Sequence, residues 1–550
     1  MPNPSTSSGI IQVNPTGNVI IDALIEGGER WANPVITYSF PDYGSYWSTD
    51  PRTGYGPSSD RSQEPWNSFE PISPSDRGYF IEALHRWENV ANVRFEQVQE
   101  TRDNVGDLRI AYTHSNDPVQ AWAYGPSSAA KSGDIWVEIN STSANEVWEP
   151  GSYSFLTIMH ELGHAIGLEH SFESLLFPLS RDSRSETIMS YSAIAGDQDS
   201  YFSYEPTTPM PLDILAIQHL YGANKSFHNS NDNYSFSDSK TYHETIWDGG
   251  GADDSIAYTG TKNSTLDLRE GMGSYIGNAV YAMTASTQER VPNIWIAYDT
   301  VIENANGGSG NDVLIGNDIA NYLNGGNGND ELFGGAGNDY FDWDGSLRRG
   351  NDIMHGETGD DVYVLDSSSD TVVEFSGQGT DTIWTDFSYS LLNAPFVENL
   401  YLFGDQSINA SGNNQSNSIR GNDKNNILSG FSGDDYIDGG KGDDSLFGDA
   451  GNDTLLAGYG FDSLNGGTGS DIFGFYAAGH FRVEDFNPSQ DLLLFDSSIG
   501  FHNLNELARS ITNISQTNHH LTVEFGSALS VDLVGVHLNQ LTADMIVFSI

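Results

Sequence analysis

Two histidines four residues apart, with a glutamate beside the first, open the segment His160-Glu161-Leu162-Gly163-His164-Ala165-Ile166-Gly167-Leu168-Glu169-His170. On a helix, positions i and i+4 share one face, close enough for both imidazoles to bind a single Zn²⁺. Gly167 permits a sharp helix end, after which the chain folds back and offers His170 as a third ligand. Three neutral imidazoles leave one coordination position for water, the mark of a catalytic rather than a structural zinc. Zinc lowers the pKa of that water toward neutrality. Glu161 is placed to take the water's proton and pass it to a leaving amine. Downstream, Thr187-Ile188-Met189-Ser190-Tyr191 puts a methionine 19 residues after His170, where an extended zinc motif of this kind makes a methionine turn. Met189 is then an apolar floor beneath the metal. Tyr191 is within reach of the zinc or of the oxyanion of a tetrahedral intermediate.

Several elements must position these residues. Helical spacing runs from about Tyr153 to Gly167 and from about Pro211 to Tyr221. A further helix is expected over Pro74 to Val93, with Ser73 or Ser75 as N-cap. Val93–Val98, Asp107–Tyr112 and Asp134–Ile139 read as strands, and Pro41 to Pro71 as a long surface loop.

A second chemistry lies in the repeats. Gly-Gly-Ser-Gly-Asn-Asp-Val-Leu-Ile starts at Gly307, with related units at Gly316, Gly325, Gly334 and, after extra residues around Trp343 to Gly350, at Gly356. A second block keeps nine-residue phase from Gly412 through Gly421, Gly430, Gly439, Gly448, Ala457 and Gly466. Such units stack as a parallel β-roll with calcium between turns. Glycines turn the backbone and bring carbonyls close to a cation. The sixth-position aspartate supplies a hard oxygen. The expected calcium ligands are Asp312, Asp330, Asp339, Asp361, Asp435, Asp444, Asp453, Asp462 and Asp471. Asn321, Asn417 and Asn426 occupy that position in three units, which are expected to bind weakly or to cap.

Composition narrows the classes. Lys and Arg total 23 against 76 Asp and Glu, a formal charge of −53, so nucleic-acid binding through phosphate neutralisation is excluded. With no cysteine, disulfides and thiolate metal sites are excluded. At 37% hydrophobic, the chain is too apolar to be wholly disordered. No run reaches the ~18 consecutive apolar residues of a membrane helix. Residues 1–30 have no basic start, apolar stretch or small-residue cleavage site, so no standard secretory signal is expected there.

These motifs resemble the metzincin zinc endopeptidases, and specifically the serralysins. Asp22-Ala23-Leu24, with Trp31 and Ile36-Thr37-Tyr38-Ser39-Phe40, resembles the strand that opens that fold. Ala121-Trp122-Ala123-Tyr124-Gly125-Pro126, followed by Gly133-Asp134-Ile135-Trp136, resembles the segment holding the edge strand that binds substrate. Ile246-Trp247-Asp248-Gly249-Gly250, Leu266 to Gly271 and Ile302-Glu303-Asn304-Ala305 resemble the family's junction into its roll. The repeats and the ending Leu533-Val534-Gly535-Val536 through Asp544-Met545-Ile546 resemble RTX chains exported by type I secretion. Ser171 stands where serralysins usually have proline, and the interval to Met189 is short for that family.

The resemblance implies an α+β protease domain (twisted mixed sheet, active-site helix, Met-turn) followed by an all-β parallel β-roll. It implies zinc on His160, His164, His170 and, at rest, Tyr191. It makes Glu161 and Tyr191 catalytic, places substrate along Ala121, Trp122, Ala123 and Tyr124, and gives Gly167 and Met189 structural roles. Expected boundaries are an N-terminal extension or short propeptide at 1–20, the protease at 21–225 and a β junction at 226–306. Roll blocks follow at 307–365 and 412–475 around a spacer at 366–411, with a C-terminal β region and export signal at 476–550. The expected protein is a secreted zinc endopeptidase using zinc-activated water, with one catalytic Zn²⁺ and several structural Ca²⁺. Its expected partners are protein or peptide substrates, a type I secretion apparatus and a proteinaceous inhibitor, with no nucleic acid and no membrane span. The alternative is an inactive calcium-binding adhesin or matrix protein.

Overall fold

The computed structural model describes residues 9–60, 64–114, 120–139, 147–342, 350–517 and 519–548, with the backbone of residues 3–4. The insertion expected around Trp343 to Gly350 lies outside the described residues except for Gly350, as do Ser549 and Ile550. The chain forms two units, residues 1–302 and 303–550. The first unit takes in both the expected protease stretch and nearly all of the expected β junction. Trp247, Trp295 and Ala297, from the expected junction, are buried in the same apolar core as the helix that carries His160 and His164. A shared core binds that stretch to the first unit.

Four helices and a five-stranded sheet frame the first unit. The helices are α1 (Val19–Leu24), α2 (Pro74–Val90), α3 (Tyr153–Ile166) and α4 (Pro211–Tyr221). Asp22-Ala23-Leu24, expected with the opening strand, is helical instead, because the Asn18 side chain caps α1 by accepting from the Ile20 amide. Ser73 caps α2, and Pro74 at its first position needs no amide donor there. The strands are β1 (Val35–Ser39), β2 (Arg94–Gln97), β3 (Leu108–Thr113), β4 (Ala121–Ala123) and β5 (Asp134–Glu138), in the order β2-β1-β3-β5-β4. The first four in that order are parallel, and β4 runs antiparallel along β5 at the edge.

Strand alternation divides the sheet's two faces. Ile110, Ile135 and Val137 join the helices in the main core. Ala111 and Trp136 face the other way, where Trp47, Tyr55, Trp66 and Phe69 gather on them. These four aromatics come from the expected surface loop, which therefore covers the second face of the sheet.

In the second unit, parallel strands advance two nonapeptides per turn. Ser418, Tyr436, Thr454 and Ile472 stand side by side, as do Ile427, Ser445 and Ser463 in the companion ladder. Each strand turns one apolar residue inward, such as Leu428, Ile437, Leu446 and Leu455, all fully buried. Residues 366–411, expected as a spacer, continue the coil: Thr371–Val373, Thr382–Thr385 and Asn399–Leu402 pair in parallel with their neighbours. The ladder needs backbone hydrogen bonds and one inward apolar residue, and Val372, Ile383 and Leu400 keep that pattern where most glycines are lost. An antiparallel meander of Ile511–Gln516, His520–Phe525 and Leu529–Val534 follows. Ile546–Phe548 lies parallel to Leu492–Phe495.

Candidate functional site

α3 starts where the Ser152 hydroxyl accepts from the Phe155 amide and ends at Gly167, whose φ of 115° is left-handed. A side chain at Gly167 would run into the Glu29 carbonyl. The chain turns back there, and the Glu169 amide donates to the Leu24 carbonyl at 2.8 Å. That return brings His170 to the two helical histidines. His170 Nε2 lies 3.2 Å from His160 Nε2 and 3.0 Å from His164 Nε2.

The outer nitrogens fix the tautomers. His160 Nδ1 faces the Ile188 carbonyl at 2.7 Å, His164 Nδ1 the Leu168 carbonyl at 2.8 Å and His170 Nδ1 the Glu173 carboxylate at 2.8 Å. Each Nδ1 must therefore carry the proton, leaving three bare Nε2 lone pairs pointing at one another. Burial, then the neighbouring imidazoles, holds His164 down to about 4 and His160 well below its ordinary value, so both are neutral. Converging lone pairs repel unless a cation sits among them. Tetrahedral ligands about 2.0–2.1 Å from a zinc ion stand about 3.3 Å apart, close to the observed spacing. The donor set fits zinc.

Met189 is fully buried beneath the trio. Its sulfur lies where a side chain at Gly163 would be, so that glycine makes room for the floor. Asp213, the third residue of α4, clamps the methionine turn. Its carboxylate accepts from the Thr187 hydroxyl at 2.5 Å and from the amides of Ile188 and Met210, both at 2.8 Å. The Ile188 carbonyl in turn orients His160. Burial raises the Asp213 carboxyl to about 6 against the pull of these donors. Asp213→Ala would leave several buried donors unpartnered, each costing about 1–3 kcal/mol. The expected result is a loss of about 3 kcal/mol or more in denaturant unfolding. Metal affinity should fall about 10–100-fold in a chelator competition, because His160 loses its fixed acceptor.

Glu161 is 5% exposed and its Oε2 has no hydrogen-bond partner. Burial pushes its carboxyl up to about 8. It faces a cavity of about 370 Å³ lined also by Ala121, Tyr153, His160, Arg184 and Tyr191. The Tyr191 hydroxyl stands 2.9 Å from His170 Nε2, and the ring is 43% exposed, with Phe172 packed against it. Arg184, paired with Glu205 at 3.2 Å, donates to the Tyr191 carbonyl and holds its backbone. Ser171, at the position usually proline, is buried and donates to Asp182 at 2.7 Å, which ties down the chain just after His170.

The expected substrate segment divides by strand alternation. Gln120 and Tyr124 use backbone groups toward β5, accepting from Glu138 and Gly133, and the Tyr124 amide donates to Asp134. Ala121 and Ala123 therefore turn their amides and carbonyls to the open edge. Trp122 and Tyr124 direct their side chains to the aromatic cluster on the far face.

The expected calcium aspartates form ladders. Asp435, Asp453 and Asp471 each accept, through Oδ1, the amide of the residue one turn earlier: Asn417, Asp435 and Asp453 respectively. Oδ2 of Asp339, Asp361, Asp435, Asp444, Asp453 and Asp462 is buried without a partner. Asp312, Asp330 and Asp471 are likewise buried. Asn417 and Asn426 take the ladder positions beside Asp435 and Asp444, and their amide nitrogens donate to carbonyls where the aspartates leave an oxygen open. The asparagine at position 321 does the same toward the Glu303 carbonyl. Rows of inward, unpartnered carboxylate oxygens suit a hard cation such as calcium.

Sequence reasoning missed Asp352, Asp370, Asp381 and Asp491, which extend these ladders. Asp352 and Asp381 still close a Gly-x-Asp tail, a signal that was legible. It also missed Asp213, whose only mark is an acid in the first turn of a mostly apolar helix.

Comparison with known proteins places these features. The matrixin family profile matches residues 72–201, the peptidase M10 serralysin C-terminal profile residues 212–420, and the RTX calcium-binding nonapeptide repeat residues 411–446 and 447–474. The chain is 30% identical over 287 residues to metalloprotease AprA of Pseudomonas entomophila, covering 46% of this chain and 56% of that one. It is 31% identical over 289 residues to a serralysin of Photorhabdus laumondii (47% and 57%) and 33% over 263 residues to serralysin C of Dickeya chrysanthemi (42% and 52%). The chain thus spans about half the length of the curated relatives it matches. With these matches come zinc as catalytic cofactor and calcium as structural cofactor. A matrixin profile around the histidine trio, a serralysin C-terminal profile and calcium-binding repeats in one chain make it a serralysin-type metzincin with RTX repeats.

Proposed function

We propose that the chain is a secreted zinc endopeptidase, and that His160, His164 and His170 hold its metal. The observation that carries this is the buried, unpartnered carboxylate of Glu161 beside three converging bare imidazole nitrogens. Zinc, when bound there, supplies a Lewis acid that polarises water and the scissile carbonyl. Glu161 takes the proton of the attacking water and delivers it to the leaving amine nitrogen. Tyr191 swings from His170 and donates its hydroxyl to the carbonyl oxygen as negative charge builds on it. The open edge at Ala121 and Ala123 receives the substrate backbone as an added antiparallel strand, which orients the carbonyl without reading a particular sequence.

Tyr191→Phe removes only that donor. The expected result is a fall in kcat of about 10²–10³-fold with KM little changed, as for loss of an oxyanion donor.

Export through a type I apparatus is the route that the RTX repeats and the serralysin relatives support. Among the described residues, no helix is long and apolar enough to cross a membrane. Casein hydrolysis tests the activity. It should stop on zinc removal by a zinc chelator and return on adding zinc in the continued presence of calcium. A chain that binds zinc and calcium yet never cleaves casein would instead be an inactive calcium-binding relative.

A further inference from the structure

We propose that Asp361, Glu374 and Asp381 form a calcium site of their own in the second unit, with Glu374 a ligand that no nonapeptide repeat supplies. Their carboxylate oxygens lie within 4.8 Å of one another. All three residues are buried, Glu374 at 7% exposure and Asp361 and Asp381 at 1%. Asp361 Oδ1 accepts the Asp339 amide at 2.7 Å, and Asp381 Oδ1 accepts the Asp361 amide at 2.9 Å. Glu374 Oε1 accepts the Tyr363 hydroxyl. Asp361 Oδ2 and Glu374 Oε2 have no hydrogen-bond partner.

Buried carboxylate oxygens without donors are a heavy penalty unless a cation compensates them. The charges that reach these three groups are other carboxylates, with no basic side chain among them. The wall is also fitted to a small occupant. A side chain at Gly356 would overlap the Tyr363 hydroxyl, Asp361 Oδ2 and Glu374 Oε1, so only glycine leaves this space open.

The site departs from the repeat pattern. A nonapeptide offers one aspartate and relies on glycine carbonyls. Here Glu357 stands in place of the second glycine, and Gly377-Gln378-Gly379-Thr380-Asp381 keeps only the tail of a unit. Glu374, at the end of the preceding strand, adds the carboxylate that those loops lack. An all-oxygen, three-carboxylate set suits calcium, which accepts irregular geometry, better than magnesium, which demands an octahedron and keeps its waters.

The test is calcium content of the full chain by equilibrium dialysis with radioactive calcium, comparing wild type with Glu374→Gln. One calcium fewer per chain, with the remaining affinities unchanged, is the expected result. An unchanged calcium count overturns the site and makes Glu374 a protonated partner of Tyr363. If Glu374→Gln loses most of its calcium, the coil has failed, and Tyr363→Phe decides. That variant keeps every ligand charge but frees Glu374 to wander. A full count with one calcium held several-fold more weakly supports the site, and unaltered affinities overturn it. The readout is calcium, so it stands apart from peptide hydrolysis.

Discussion

Glu161→Gln should retain its full zinc content and lose about 10²–10⁴-fold in kcat/KM on casein, the range for a positioned general base. The amide has the shape of the carboxylate, and Glu161 is buried within α3 and the cavity wall, so packing and helix are preserved. What disappears is the ability to hold a proton. No donor occupies Oε2, so the carboxylate is reserved for something that enters the cavity. The imidazoles are untouched, each Nδ1 still tied to Ile188, Leu168 or Glu173. Zinc content by atomic emission therefore separates the outcomes. Zinc retained with activity lost assigns the proton transfer to Glu161. Activity within twofold of wild type would place the base elsewhere and defeat the mechanism. Lost zinc would make Glu161 a residue that holds the site together.

The chemistry of this site was more legible in the sequence than its support. The histidine spacing, Gly167 and Met189 are local: a helix periodicity and one left-handed turn bring them together, and both are written within thirty residues of chain. Asp213 holds the same turn from 25 residues beyond Ile188 through side-chain hydrogen bonds, which no periodicity announces. The aromatic cover of the sheet was equally hidden. A segment rich in proline and glycine reads as a loop, but its aromatic rings must be buried somewhere, and only the fold tells where. In the coil, nine-residue phase revealed each regular turn. Between 366 and 411 the turns vary in length, Thr382 to Asn399 to Ser418, so the phase breaks while the backbone ladder does not. A reading keyed to glycine and aspartate sees the loops that bind and overlooks the strands that continue without them.

Withdrawing calcium with a calcium-selective chelator should unfold the second unit, lowering its melting temperature by tens of degrees or abolishing its transition at neutral pH. The ladders explain the size. Burial pushes Asp444 up to about 8 and Asp435 and Asp462 up to about 7, so without a cation these groups must either give up charge or keep it unpaired. Each occupied site at 100 times its Kd contributes about 2.7 kcal/mol, whereas a whole domain is stable by only about 5–15 kcal/mol. Losing several sites therefore exceeds the stability available. Repulsion within a chain of net charge −53 acts in the same direction. Far-UV circular dichroism of the full chain, compared with near-UV signal to which the first unit contributes nine of the eleven tryptophans, would separate the two transitions. Identical melting with and without chelator would show that the carboxylates are neutralised by protons rather than calcium. Asp444→Asn with Asp453→Asn offers the converse case. It removes two unpartnered oxygens, so it should fold further without calcium and gain less from adding it. That dependence is what the proposed export would demand: where calcium is scarce the carboxylates keep the coil open, and where it is plentiful binding free energy becomes folding free energy.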